Sequence, residues 1–159
     1  MKQVLIFLVA ATLAQAVSSR PDFSGTWAPD TEMTLRNLPP FGGGTGGRGS
    51  VPGGRIPMTV SQDLASLTIL KEFPSGVERT IYRLDGTPTK HGDLSTKVRW
   101  EGERLVIETT LPYGPPYVLR SAMYFEGSHL VIEDSGRVGE NGLVVKAYYK
   151  RAPSTTFVR

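Results

Sequence analysis

The chain has 159 residues, 18 Lys and Arg against 15 Asp and Glu, a formal net charge of +3, and no cysteine. The missing cysteines exclude disulfide staples, a thiol nucleophile and any zinc site with sulfur ligands. So slight a basic excess over a chain of this length excludes a nucleic-acid footprint.

Met1-Lys2-Gln3 sets one positive charge ahead of an apolar run from Val4 to Leu13, broken by Thr12. Ala14-Gln15-Ala16 follows, small residues around one polar residue. That order predicts a secretory signal over residues 1–16, cut after Ala16. The run is half of the roughly twenty residues that a bilayer-spanning helix needs, so no membrane span is expected. With no cysteine at the cut for a lipid, the product is expected to be soluble and secreted or periplasmic. Removing sixteen residues from 159 leaves 143, enough for one domain with a core, and loss of Lys2 takes the net charge from +3 to +2.

Residues 17–38 hold a first strand and an entry segment. Asp22-Phe23-Ser24-Gly25-Thr26-Trp27 reads as extended, and Thr31 to Leu38 as one or two helical turns. Residues 39–56 read as a flexible Gly/Pro-rich loop, because eight of the thirteen residues from Gly42 to Gly54 are glycine. Arg48 and Arg55 in it resemble RNA-binding RGG segments, but an exported protein rarely meets RNA, and a solvated loop is the reading taken.

Residues 57–151 form the main β-meander. Met58–Gln62, Leu67–Phe73, Val77–Leu84, Lys97–Trp100, Leu105–Ile107, Tyr117–Phe125, Leu130–Ile132 and Leu143–Tyr149 are short, β-branched and aromatic. Glycine-bearing turns separate them, at Asp85-Gly86, Glu101-Gly102, Glu126-Gly127 and Asn141-Gly142 among others. Eight or nine strands joined in this way predict an all-β, antiparallel up-and-down sheet. Residues 152–159 are a C-terminal tail.

Trp100 to Glu108 recurs 25 residues later as Phe125 to Glu133, with six of nine positions identical. Each copy is an aromatic strand end, a Glu-Gly turn and a returning Leu-Val-Ile-Glu strand. Leu and Ile then share one face, Val and Glu the other. Glu108 and Glu133 are accordingly read as outward, solvated groups rather than a catalytic carboxylate pair.

The opening Phe23-Ser24-Gly25-Thr26-Trp27 resembles that of lipocalin-type barrels, which carry a Gly-x-Trp motif on the first strand. The whole ordered set resembles a group of exported bacterial lipocalin-like proteins. It comprises that opening, the Gly-rich loop, Met58-Thr59-Val60-Ser61-Gln62-Asp63, Tyr82-Arg83-Leu84-Asp85-Gly86 and the Trp100–Glu108 hairpin. The resemblance implies a closed or nearly closed barrel. Gly25 and Trp27 would be its structural motif, with Lys150 or Arg151 against the tryptophan. The chain departs from true lipocalins in being shorter, lacking cysteine and ending without a clear helix. Closure also removes the exposed edges of a long meander, and about eight strands leave room for a filled core or a small ligand.

Candidate ligand contacts are Arg120, Tyr124, Tyr82 and Trp100. Arg120 shares a face of its strand with Tyr124. If that face is interior, Arg120 suits an anionic head group; if Leu119, Met123 and Phe125 face inward, Arg120 meets water. The aromatic segment Tyr113 to Tyr117 rims a mouth or caps a turn. His91 and His129 stand in no metal-ligand cluster, no catalytic signature is present, and no cofactor or metal is expected. The leading expectation is a small apolar ligand in the barrel. The alternatives are a cell-envelope interaction module with a filled core, and an enzyme with a buried acid in the lumen, for which the sequence points to no residue.

Overall fold

The computed structural model describes residues 20–38, 56–112, 117–136 and 143–152. Residues 1–19 with the expected signal segment, residues 39–55 of the Gly-rich loop, residues 113–116, residues 137–142 with the expected Asn141-Gly142 turn, and the tail from 153 lie outside them. The elements in chain order are β1 (Gly25–Pro29), α1 (Thr31–Arg36), β2 (Met58–Gln62), β3 (Ser66–Phe73) and β4 (Gly76–Arg83). They continue as β5 (Thr89–His91), β6 (Leu94–Glu101), β7 (Arg104–Leu111), β8 (Tyr117–Glu126), β9 (His129–Gly136) and β10 (Leu143–Arg151). All pairings are antiparallel, in the order β4-β3-β2-β1-β10-β9-β8-β7-β6-β5. The meander thus curls until its first strand meets its last, Trp27 opposite Arg151, which makes a nearly closed ten-stranded barrel.

The sheet has one strand more than expected. The addition is β5, three residues reading Thr-Lys-His with no apolar side chain. Nothing in its sequence marks it as a strand; pairing with β6, Lys90 opposite Ser95, makes it one. Helix α1 falls in the segment expected to hold a turn or two. Asp30 caps it, its carboxylate accepting from the Met33 N–H at 3.0 Å. No helix among the described residues is long and apolar enough to cross a membrane.

The two echoed hairpins are built alike. Each has a two-residue loop, Gly102-Glu103 or Gly127-Ser128, in which the glycine has φ +61° and the residue after it does not turn positive. That is the demand of a type II′ turn, and it fixes register. Trp100 then pairs with Leu105 and Phe125 with Leu130, all inward. The outward partners Val106, Ala122 and Val131 are also buried. Their cross-strand neighbours are Arg99, Glu133 and Tyr124, whose long side chains form a second, polar layer on the outer wall.

One end of the barrel is a packed plug. Phe23 stacks on Trp100 at 5.9 Å between centroids and meets Phe125, tilted, at 5.3 Å, and Trp27 meets Phe125 at 5.9 Å. The repeat therefore supplies two aromatics to one contact. The N-terminal segment beneath them is tied by Gln62, whose amide oxygen accepts from Phe23 N and whose amide nitrogen donates to the Pro21 carbonyl. Trp27 is 1 % exposed. Its indole N–H donates to the Phe23 carbonyl at 2.9 Å and its ring lies 4.7 Å from the Arg151 guanidinium carbon. A Cβ on Gly25 would stand 2.6 Å from Arg151 Nη1, so the glycine leaves the space that the arginine uses. Of the two basic residues left open for that place, the structure has Arg151 there.

Candidate functional site

Above the plug the inward positions leave a cavity of about 220 Å³. Its walls follow the two-residue period of the strands. Ile69 and Lys71 come from β3, Tyr82 from β4, and Ile107 and Thr109 from β7. Ser121 and Met123 come from β8, Ile132 and Asp134 from β9, and Ala147 and Tyr149 from β10. The lining is apolar in Ile69, Ile107, Met123, Ile132 and Ala147. The remaining residues add hydroxyls and two charges of opposite sign. A hollow of about 310 Å³ at the β3–β4 turn, between Phe73 and Glu78, lies open on the surface and brings together no such set.

The electrostatics of the lumen centre on Asp134. Burial pushes its carboxyl above the ordinary aspartate range, while the Ser121 hydroxyl, which donates to Oδ1, and the charge of Lys71 pull it partly back. Burial likewise raises Tyr82, with Glu78 and Asp134 adding to it. Tyr149, fully buried, is pushed up to about 12 by burial first and Asp134 second. The cavity therefore holds neutral phenols and one carboxylate whose charge is disfavoured.

The expected contact residues part company. Tyr82 lines the cavity. Trp100 points inward but lies in the plug, with Phe23 stacked on it and the Arg20 guanidinium carbon 5.5 Å from the ring centroid. Arg120 and Tyr124 stand outside, and the structure corrects their grouping with the lumen. Leu105 pairs with Met123 on the inner face, so the even-numbered positions of β8 face out. Arg120 Nη2 meets Glu101 Oε2 at 2.7 Å, and the Tyr124 hydroxyl donates to Glu133 Oε2 at 2.8 Å beneath the Arg104 guanidinium. Glu108 and Glu133 are outward, as their place in the repeat implies, but each is paired: Glu108 with Arg99 at 2.6 Å and Glu133 with Arg104 at 2.9 Å. The Arg99 hydrogen bond holds the Glu108 carboxyl below its usual range.

Asp134 was missed in sequence, and so was Lys71. A signal was present: Leu130, Ile132 and Asp134 share one parity, as do Leu67, Ile69 and Lys71. Following either inward stripe two residues further reaches a charge. Those charges end an apolar run and so look like its solvated border. His129 is drawn to the outer wall, Nε2 at 3.4 Å from Asp30 Oδ2 and its ring edge-on to Tyr148. Among the described residues no group of His, Asp and Glu is arranged to hold a metal.

No protein-family model matches the chain and no curated protein sequence is similar to it. Solved structures do match. A single-residue mutant of the fluorescent protein UnaG aligns over 82 % of this chain and 96 % of its own, at 18 % identity and a TM-score of 0.58. Human cRBP IV aligns over 83 % and 99 %, at 15 % identity and 0.53. Zebrafish ileal bile acid-binding protein, complexed with cholic acid, aligns over 82 % and 98 %, at 16 % identity and 0.53. At these identities the likeness concerns the backbone, and the chain has the calycin-type β-barrel fold of these proteins.

Proposed function

We propose that the protein is an exported carrier or sensor that takes one small, largely apolar molecule into the barrel lumen. The observation that carries this reading is the 220 Å³ cavity, walled by Ile69, Ile107, Met123 and Ile132 above an aromatic plug. Apolar lining with a few convergent polar groups is the usual make-up of a small-molecule site. The fold supports it, since zebrafish ileal bile acid-binding protein, a barrel of the same kind, forms a complex with cholic acid. Export is supported by the charge, apolar run and small residues of Met1–Ala16.

Native and denaturing mass spectra of the gently purified protein, with an organic extract of the same sample, test both parts. The expected denatured mass is that of a chain beginning at Val17, and the expected native mass is greater by one small molecule that reappears in the extract. Ile132→Trp, which fills the cavity at a cost of about 1–3 kcal/mol in overpacking, should abolish that adduct while the barrel remains folded. A native mass equal to the denatured one, together with no change in dye binding between wild type and Ile132→Trp, defeats the carrier reading.

A further inference from the structure

The polar side of the cavity says what kind of molecule suits it. Three atoms there are without protein partners among the described residues: Lys71 Nζ, Asp134 Oδ2 and the Tyr82 hydroxyl. Asp134 uses its other oxygen to accept from Ser121. Lys71 acts on Asp134 through space without an ion pair. The lumen thus holds one cation and one anion, each half-buried and each answering the other across the hollow. An anionic ligand would spend Lys71 and leave two negative groups facing one another. A cationic ligand would do the reverse. Either leaves a buried charge without compensation, which is the costly arrangement in a low-dielectric site.

Resting on the carrier reading above, we infer that the lumen selects a neutral molecule whose head both donates and accepts hydrogen bonds, an amide or a hydroxyl, and rejects carboxylates. Its donor meets Asp134 Oδ2, and its acceptor meets Lys71 Nζ or the Tyr82 hydroxyl. A head of this kind answers Asp134 and one of the two donors, and it leaves the charge balance of the site unchanged. Size narrows the class further. A dry cavity of about 150 Å³ admits benzene, so this one admits roughly nine non-hydrogen atoms, a single ring with its head group. Longer apolar tails would have to leave through the mouth of the barrel.

Benzamide, benzoate, benzylammonium and toluene are probes of nearly one size that differ in charge and head. Their dissociation constants at pH 7, from NMR titration of the purified protein, test the inference with no variant needed. Benzamide is expected to bind about tenfold or more tighter than each of the other three. Asp134→Asn, nearly isosteric and still able to accept from Ser121, is expected to strengthen benzoate and close its gap to benzamide. Lys71→Met is expected to weaken benzamide. Benzoate binding as well as benzamide, or toluene as well as benzamide, overturns the inference and leaves the carrier reading standing. Failure of all four probes to bind at millimolar concentration overturns the inference, and the native mass spectrum decides separately whether the carrier reading falls with it.

Discussion

At the scale of single residues, the closed end turns on Gly25. Its φ of +143° lies where L side chains rarely go, and the space of its missing Cβ is taken by Arg151. Gly25→Ala therefore combines backbone strain with eviction of the guanidinium from Trp27, and should cost about 1–3 kcal/mol. Arg151→Met, which loses only the cation over the ring, should cost about 0.5–1 kcal/mol. Since the alanine already displaces the arginine, the double variant should lose less than the two losses added together. Urea unfolding followed by tryptophan fluorescence measures all three, and simple additivity would mean that Gly25 and Arg151 act separately. The Gly-x-Trp pattern made this corner legible from the sequence. The lumen was legible only in part. Tyr82 lies among apolar neighbours and was found. Arg120 and Tyr124 were grouped with it because their strand is apolar on both faces, so alternation gave no sign of which face is wet. Asp134 escaped for the converse reason, a charge standing at an inward position.

At the scale of elements, most strands could be read because turn glycines and β-branched runs agree. The exceptions lack one of the two signals. Strand β5 has no apolar residue and is held by its neighbour alone. Helix α1 is short, and its anchor is a tertiary contact that no local pattern announces. Strand β1 stops at Pro29, and the backbone of Tyr148 on β10 needs other partners from there. The Asp30 N–H donates to its carbonyl at 2.8 Å, and its own N–H donates to the hydroxyl of Thr34 at 3.0 Å. Thr34 is accordingly 2 % exposed. Thr34→Val keeps the shape and removes the acceptor, leaving a buried N–H unpaired at a cost of about 1–3 kcal/mol. Thr34→Ser should keep most of the stability. Hydrogen exchange at the Tyr148 amide should quicken in the valine variant and stay slow in the serine variant; equal protection in both would show that the hydroxyl bond is dispensable.

For the molecule as a whole, two carboxylates bend the response to pH in opposite senses. Asp85 is held at about 2 by the Thr87 N–H and then by Arg83, so its contribution is present above the unfolded aspartate pKa and lost as the pH falls towards 2. Asp134, raised by burial, favours folding below the unfolded aspartate pKa, and that advantage is lost as the pH climbs through its folded value. At pH 7 Asp134 is therefore a stability cost carried inside the lumen. Asp134→Asn should raise the urea midpoint at pH 7 and show no gain at pH 3, where wild-type Asp134 is protonated in either state. A gain of equal size at both pH values would mean that packing, not charge, is what the substitution changes.

The first and last strands of the barrel are joined by a contact between Trp27 and Arg151. Nearly the full length of the chain separates these partners, so the plug that they cap is unavailable until the last strand has been made. Local hairpins form early because their turns are short, but closing the ring requires a long loop to be brought together late. The timetable of assembly is thus written into the topology: a nascent chain lacking β10 has no finished wall to hold it shut.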